Sequence, residues 1–151
     1  MKRGYLKFLG MILTSAVLMY VVMYLNTYEL DHVYFSEMRL YMTILSTCVM
    51  AVVMLLFMLH MLKNKKVNAV IIAVSVLVFA GSFYLMRNQT TISQVDYMRA
   101  MIPHHSIAIL ASKRADIRDE RVRQLADDII EAQEREILMM KNLLADLAGG
   151  D

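Results

Sequence analysis

The run Met42-Thr43-Ile44-Leu45-Ser46-Thr47-Cys48-Val49-Met50-Ala51-Val52-Val53-Met54-Leu55-Leu56-Phe57-Met58-Leu59-His60-Met61-Leu62 holds no Asp, Glu, Lys or Arg. About 20 helical residues cross a hydrocarbon core of about 30 Å, and backbone groups in lipid must bond within their own segment. The run therefore reads as a membrane-crossing helix. Two more apolar runs of similar length flank it, about Phe8 to Leu25 and about Val67 to Leu85. Lys2, Arg3 and Lys7 precede the first, as they would in a signal peptide. That run is long for a signal core, however, and Leu25-Asn26-Thr27-Tyr28-Glu29 offers no small-residue cleavage site, so a retained helix is expected.

Charge around these runs predicts their orientation. Lys2, Arg3 and Lys7 lie before the first helix and Lys63, Lys65 and Lys66 between the second and third. The loop between the first and second carries Glu29, Asp31 and Glu37 against a single Arg39. Three crossings put both basic flanks on one side, and the positive-inside rule makes that side the cytoplasm of an inner (plasma) membrane. The N-terminus is then expected inside and the C-terminal segment outside, in the periplasm or the extracellular space. Tyr20, Tyr24, Tyr28, Tyr34 and Tyr41 gather toward the outer ends of the first two helices, where an interfacial belt would lie.

After Arg87 the chain becomes polar. Asn88 to Gln94 reads as a linker, about Asp96 to Ala115 as one helix and about Asp119 to Leu147 as a second. Asp116 and Asp119 are candidate N-caps for the second, and Gly149 and Gly150 would stop it. The expected fold class is all-α, with a three-helix transmembrane anchor at 1–87 and a soluble helical hairpin at 88–151. The second helix carries Val122, Ala126, Ile129, Ile137, Met140, Leu144 and Leu147 on one stripe, with Gln133 its polar member.

Composition narrows the function classes. A net charge of +2 gives no bulk attraction to nucleic acid. The single cysteine, Cys48, excludes an intrachain disulfide and reads as a small buried hydrophobe. No nucleophile with a paired base and no phosphate-cradling glycine loop is evident, so no enzymatic activity is expected.

Methionine stands out, with 15 residues. In Asp96-Tyr97-Met98-Arg99-Ala100-Met101-Ile102-Pro103-His104-His105, the steps Met98, Met101, His105, Ala108, Ser112 form one helical stripe toward the second helix. His104 falls on its flank, and Pro103 loosens the turn that would bond to the Arg99 carbonyl. Thioethers with imidazoles suit copper, particularly Cu(I), whereas hard ions want carboxylates. With the hairpin turn centred near Ile117, His105 lies level with about Ile130, and Met140 within about 5 Å of the level of Met98. Gln133 is then placed to hold the imidazole nitrogen that does not bind metal.

Methionine at helical spacing is also common core filling. The same holds for Met50, Met54, Met58 and Met61 on the second membrane helix and Met19 and Met23 on the first, where a metal track or ordinary packing would look alike. Glu29-Leu30-Asp31-His32 has the Glu-x-x-His spacing of di-iron bundles but no second copy elsewhere.

The run Met101-Ile102-Pro103-His104-His105-Ser106-Ile107-Ala108, with Ala126, Ile129, Gln133, Glu136-Ile137 and Met140, resembles the domain-of-unknown-function 305 family over about Gln94 to Leu144. The anchor before it resembles a membrane-bound subgroup. The resemblance implies a ferritin-like helical fold, and some members are periplasmic and associated with copper binding and tolerance. It implies His104, His105, Met101 and Met140 as ligands, joined by Met98 from the stripe, with Gln133 and Glu136 behind them. Many members carry a methionine six residues after the second histidine, where this chain has Ala111. A ferritin-like bundle has four helices and this hairpin two, so a homodimer or higher homo-oligomer is expected.

The function expected is a membrane-anchored extracytoplasmic copper-binding protein that sequesters or hands over metal, with the bilayer and a metal donor or acceptor protein as partners and no nucleic acid. The alternative is a scaffold whose hairpin mediates oligomerisation or partner binding without metal. A di-iron redox enzyme and an oligomeric transporter fit less well. Glu131, Glu134 and Glu136 lack a helical Glu-x-x-His beside them, and no charge lies within the apolar runs.

Overall fold

The structure, a computed structural model, describes residues 2–148. It is all-α, with no strand among the described residues. The helices are α1 (Lys2–Val22), α2 (Glu37–Phe57), α3 (Lys65–Asn88), α4 (Gln94–Arg114) and α5 (Glu120–Ala148), with a single 3-10 turn at Leu30–His32. The expected stop at Gly149 and Gly150 lies outside the described residues. Two compact units emerge: Met1–Val22 with Met38–Thr91, and Met23–Glu37 with Ile92–Asp151. The α1–α2 loop, which the sequence reading left with the anchor, thus belongs to the C-terminal unit.

The first unit holds three helices long and apolar enough to cross a membrane, at Arg3–Val22, Glu37–Phe57 and Lys65–Asn88. They begin two to six residues before the apolar runs, because a polar first turn such as Glu37-Met38-Arg39 is helical without being apolar. The second ends five residues before its run does. Met58 to Met61 form a turn, with the Met61 and Leu62 N–H groups both donating to the Met58 carbonyl at 2.9 Å. That turn folds Leu62 back beside Phe8, Ile12, Ala51 and Leu55, the buried centre of the unit. Met50, Met54 and Met58 pack against the same centre, so this part of the methionine row fills space between helices.

Asn68 sits in the third apolar run yet is buried and paired. Its amide donates to the Leu62 carbonyl at 2.7 Å and its Oδ1 accepts from the Tyr5 hydroxyl at 2.8 Å. Tyr5 Oη accepts in turn from the Asn64 N–H at 3.1 Å, and the Asn64 side chain caps α3 by accepting from Lys66 and Val67 N–H. The polar groups freed where the chain reverses are thereby satisfied within the unit. α3 ends with Gln89 in the left-handed region (φ 54°), its N–H bonded to the Leu85 carbonyl.

In the second unit α4 and α5 form an antiparallel hairpin. Ser93 caps α4: its hydroxyl accepts from the Asp96 N–H at 3.2 Å and donates to Asp96 Oδ2 at 2.6 Å. Asp119 caps α5 by accepting from the Arg121 N–H at 2.9 Å, while Asp116 pairs with Arg118 instead. Along α4 the buried residues are Met98, Ile102, Pro103, His105, Ser106 and Ile109. Steps of four, three and four through Met98, Ile102, His105 and Ile109 mark the seam against α5, where Ile102 and Ile109 meet Ile137. The expected stripe through Met101 and Ala108 is the edge of that seam; both are only half-buried. Pro103 and Ser106 lie beyond what a single partner helix covers. The segment Met23–Glu37 accounts for Ser106. It runs as a strap over α4, with the Tyr28 N–H donating to Ser106 Oγ at 2.7 Å and Tyr34 packing on the isoleucine cluster.

Candidate metal centre

His105, Met98, Met101 and Met140 line one cleft of about 880 Å³ between α4 and α5. The seam geometry brings them there. Met98 and His105 project from buried seam positions, Met101 from its edge, and Met140 from the half-buried flank of α5 beside Ile137. Met139 lines the cleft as well and is exposed. Periodicity does not single it out, because Met140, not Met139, falls on the apolar stripe of α5.

His105 is buried, and its Nε2 lies 2.7 Å from Glu136 Oε2. A carboxylate only accepts, so this nitrogen carries the proton. Nδ1 is also buried and has no hydrogen-bond partner, the only such side-chain atom among the described residues. In the neutral ring that atom is a bare lone pair. Unpaired buried polar atoms are few in folded proteins and call for a reason.

Glu136 and not Gln133 holds the ring, although Gln133 lines the same cleft. The expected level of His105, near Ile130, took account of Cα positions alone. Helical side chains lean toward their own N-terminus. In an antiparallel hairpin, those of α4 lean away from the turn and those of α5 toward it. His105 and Glu136 close their separation in level by leaning toward each other.

His104 is not among the cleft-lining residues. It is exposed, with its ring centroid 6.2 Å from that of His105. Consecutive helical residues point about 100° apart, so two adjacent histidines do not face one helical partner together.

Across α4, His32 is buried in the strap, its Nδ1 3.0 Å from Ser106 Oγ. Its Nε2 stands 3.7 Å from both Glu29 Oε2 and Asp31 Oδ1. Lys141 of α5 pairs with Asp31 and holds that carboxyl below its ordinary range. Burial, and secondarily the nearby Lys141 ammonium, lower the His32 imidazole against the opposing pull of Asp31 and Glu29. Lys113 bonds Glu134 at 2.8 Å, which raises its ammonium, and lies over the Tyr28 ring at 4.6 Å.

Residues 94–150 match the family described as Domain of unknown function (DUF305). The chain belongs to this family. Its DUF305 region takes in α4, α5 and the whole Met/His cleft. An uncharacterised protein of Acanthamoeba polyphaga mimivirus is 31% identical over 141 residues, 89% of this chain and 91% of the relative. An alignment of that length exceeds the DUF305 region and includes apolar helices. No solved structure matches the chain.

Proposed function

We propose that this DUF305 protein binds copper, as Cu(I), in the cleft between α4 and α5, through His105 Nδ1 and the thioethers of Met98, Met101 and Met140. The observation that carries this reading is the His105 ring, protonated toward Glu136 at one nitrogen and without a partner at the other. Metal-binding histidines commonly donate their second N–H to a carboxylate, which fixes the tautomer. Thioether and imidazole donors suit a soft ion. His104, on the exposed flank, is left out of the ligand set.

The charge pattern of the loops favours a cytoplasmic N-terminus and a cleft on the outer side of the plasma membrane, where a protein of this kind would sequester copper or pass it to another protein. Reporter fusions after Leu85 and at the C-terminus, active only outside, test that placement. An exposed apolar row on α5, Met139, Leu143 and Leu147, borders the cleft and favours a second copy as its cover, completing a four-helix bundle. Sedimentation in detergent, with Leu143→Lys expected to give monomers, tests that.

The test of copper binding is competition between the detergent-solubilised full chain and a coloured Cu(I) chelator. Met98→Leu/Met101→Leu/Met140→Leu conserves side-chain volume and removes the sulfurs. Binding lost in that variant and in His105→Ala supports the reading. Equal binding by wild type and both variants sinks it and favours a metal-free scaffold.

A further inference from the structure

The strap packed on α4 carries a second, different donor set. Glu29, Asp31 and His32 offer ligand atoms that all lie within 4.8 Å of one another, the one group of its kind among the described residues. Glu29 and His32 border a cleft of about 200 Å³ that also includes Glu134 and Lys141, and Lys141 pairs with Asp31. An acidic pair on a loop would carry no weight alone. What distinguishes this one is the third member: a buried imidazole, 5% exposed, with Nε2 aimed between two carboxylates and beyond hydrogen-bond length of either.

The opposite side of that ring is already arranged. Ser106 Oγ accepts the Tyr28 N–H at 2.7 Å and lies 3.0 Å from His32 Nδ1. A hydroxyl has two acceptor lone pairs, so it can take the Nδ1 proton as well. That tautomer leaves the Nε2 lone pair facing Glu29 and Asp31. A metal-binding histidine needs this arrangement: one nitrogen held by a fixed acceptor, the other free.

We propose that Glu29, Asp31 and His32 form a site for a borderline divalent cation such as Zn²⁺, bound through His32 Nε2 and one oxygen of each carboxylate. One imidazole and two carboxylates form a three-ligand set that zinc accepts, with solvent as the fourth donor. Tetrahedral ligands about 2.0–2.1 Å from zinc lie roughly 3.3 Å apart, so the donors must close modestly. Glu29 and Asp31 have exposed side chains, free to adjust around the fixed ring. The two carboxylates neutralise the ion. Lys141 now neutralises Asp31, so it competes with the cation and sets the affinity. Soft and hard donors are thus sorted to different faces of α4 by adjacent residues, His105 and Ser106, about 100° apart on the helix. This second site does not depend on the copper reading.

The test uses the full chain in detergent with Zn²⁺ alone, measured against a chromogenic zinc chelator. Wild type is expected to bind one Zn²⁺ per chain. Glu29→Gln/Asp31→Asn changes only exposed side chains and should weaken binding by at least the roughly 10- to 100-fold that outer-sphere partners are worth. Lys141→Met should tighten it several-fold, while His105→Ala should leave it unchanged. An unaltered zinc affinity in the double variant, or no zinc bound by wild type, overturns the proposal.

Discussion

The hydroxyl of Ser106, fully buried in α4, lies 3.0 Å from the ring nitrogen Nδ1 of His32, 74 positions earlier in the chain. The same oxygen takes the Tyr28 N–H, so one side chain ties the strap to the hairpin at two points. Ser106→Ala removes both ties and strands two groups. Leaving a buried donor or acceptor unpaired costs about 1–3 kcal/mol each. The expected result is lower thermal stability, with hydrogen exchange accelerating first in residues 23–37. Unchanged exchange there would show that the strap is held by its apolar contacts alone.

Acid should loosen the same strap. The His32 imidazole is lowered from its ordinary value of 6.5, chiefly by burial. The unfolded chain therefore binds this proton before the folded one does, and stability rises with pH through that range. Full strap stability is expected above about pH 6.5, with loss as pH falls from there toward the folded value. Asp31, lowered by Lys141, keeps its ion pair through this window and gives way only below its ordinary 3.8. Exchange of residues 23–37, corrected for intrinsic rate, should rise between pH 7.5 and 5.5 in wild type. The rise should be absent in His32→Gln.

In the first unit the load falls on Asn68. Asn68→Leu suits an apolar run by composition, yet it takes the side-chain donor from the Leu62 carbonyl and the 2.8 Å acceptor from the Tyr5 hydroxyl, which keeps only its bonds to the Asn64 backbone. A loss of about 1–3 kcal/mol is expected from unfolding in mixed detergent micelles, since the freed carbonyl lies in a buried turn. A neutral result would mean that Tyr5 and Asn64 satisfy the turn without it.

These positions mark how far the sequence could be read. Three long apolar helices were legible because a lipid core admits few alternatives to about 20 apolar helical residues. The hairpin was legible from the α5 stripe and the Asp119 cap. The strap was not: residues 23–37 have neither helical nor strand periodicity, and their partners lie 70 or more positions away. Asn68 was hidden by its apolar neighbours, since hydropathy averages over a window. Within the cleft, Met98, Met101, His105 and Met140 followed from spacing. The displacement of His104 follows from the helical angle between neighbours, and the choice of Glu136 over Gln133 from the lean of side chains along their helices.

That last contact yields the sharpest test of the cleft. Glu136 Oε2 holds His105 Nε2 at 2.7 Å, leaving Nδ1 as the donor proposed for Cu(I). Glu136→Gln keeps an acceptor of nearly the same shape but gives up the charge that strengthens the hydrogen bond orienting the ring. Outer partners of this kind are worth about 10- to 100-fold in metal affinity. A loss in that range is expected from chelator competition. His104→Ala, on the exposed flank, should cost less than Glu136→Gln although it removes an imidazole outright. If the order is reversed, copper binds through His104 at the surface, and the buried lone pair of His105 takes no part.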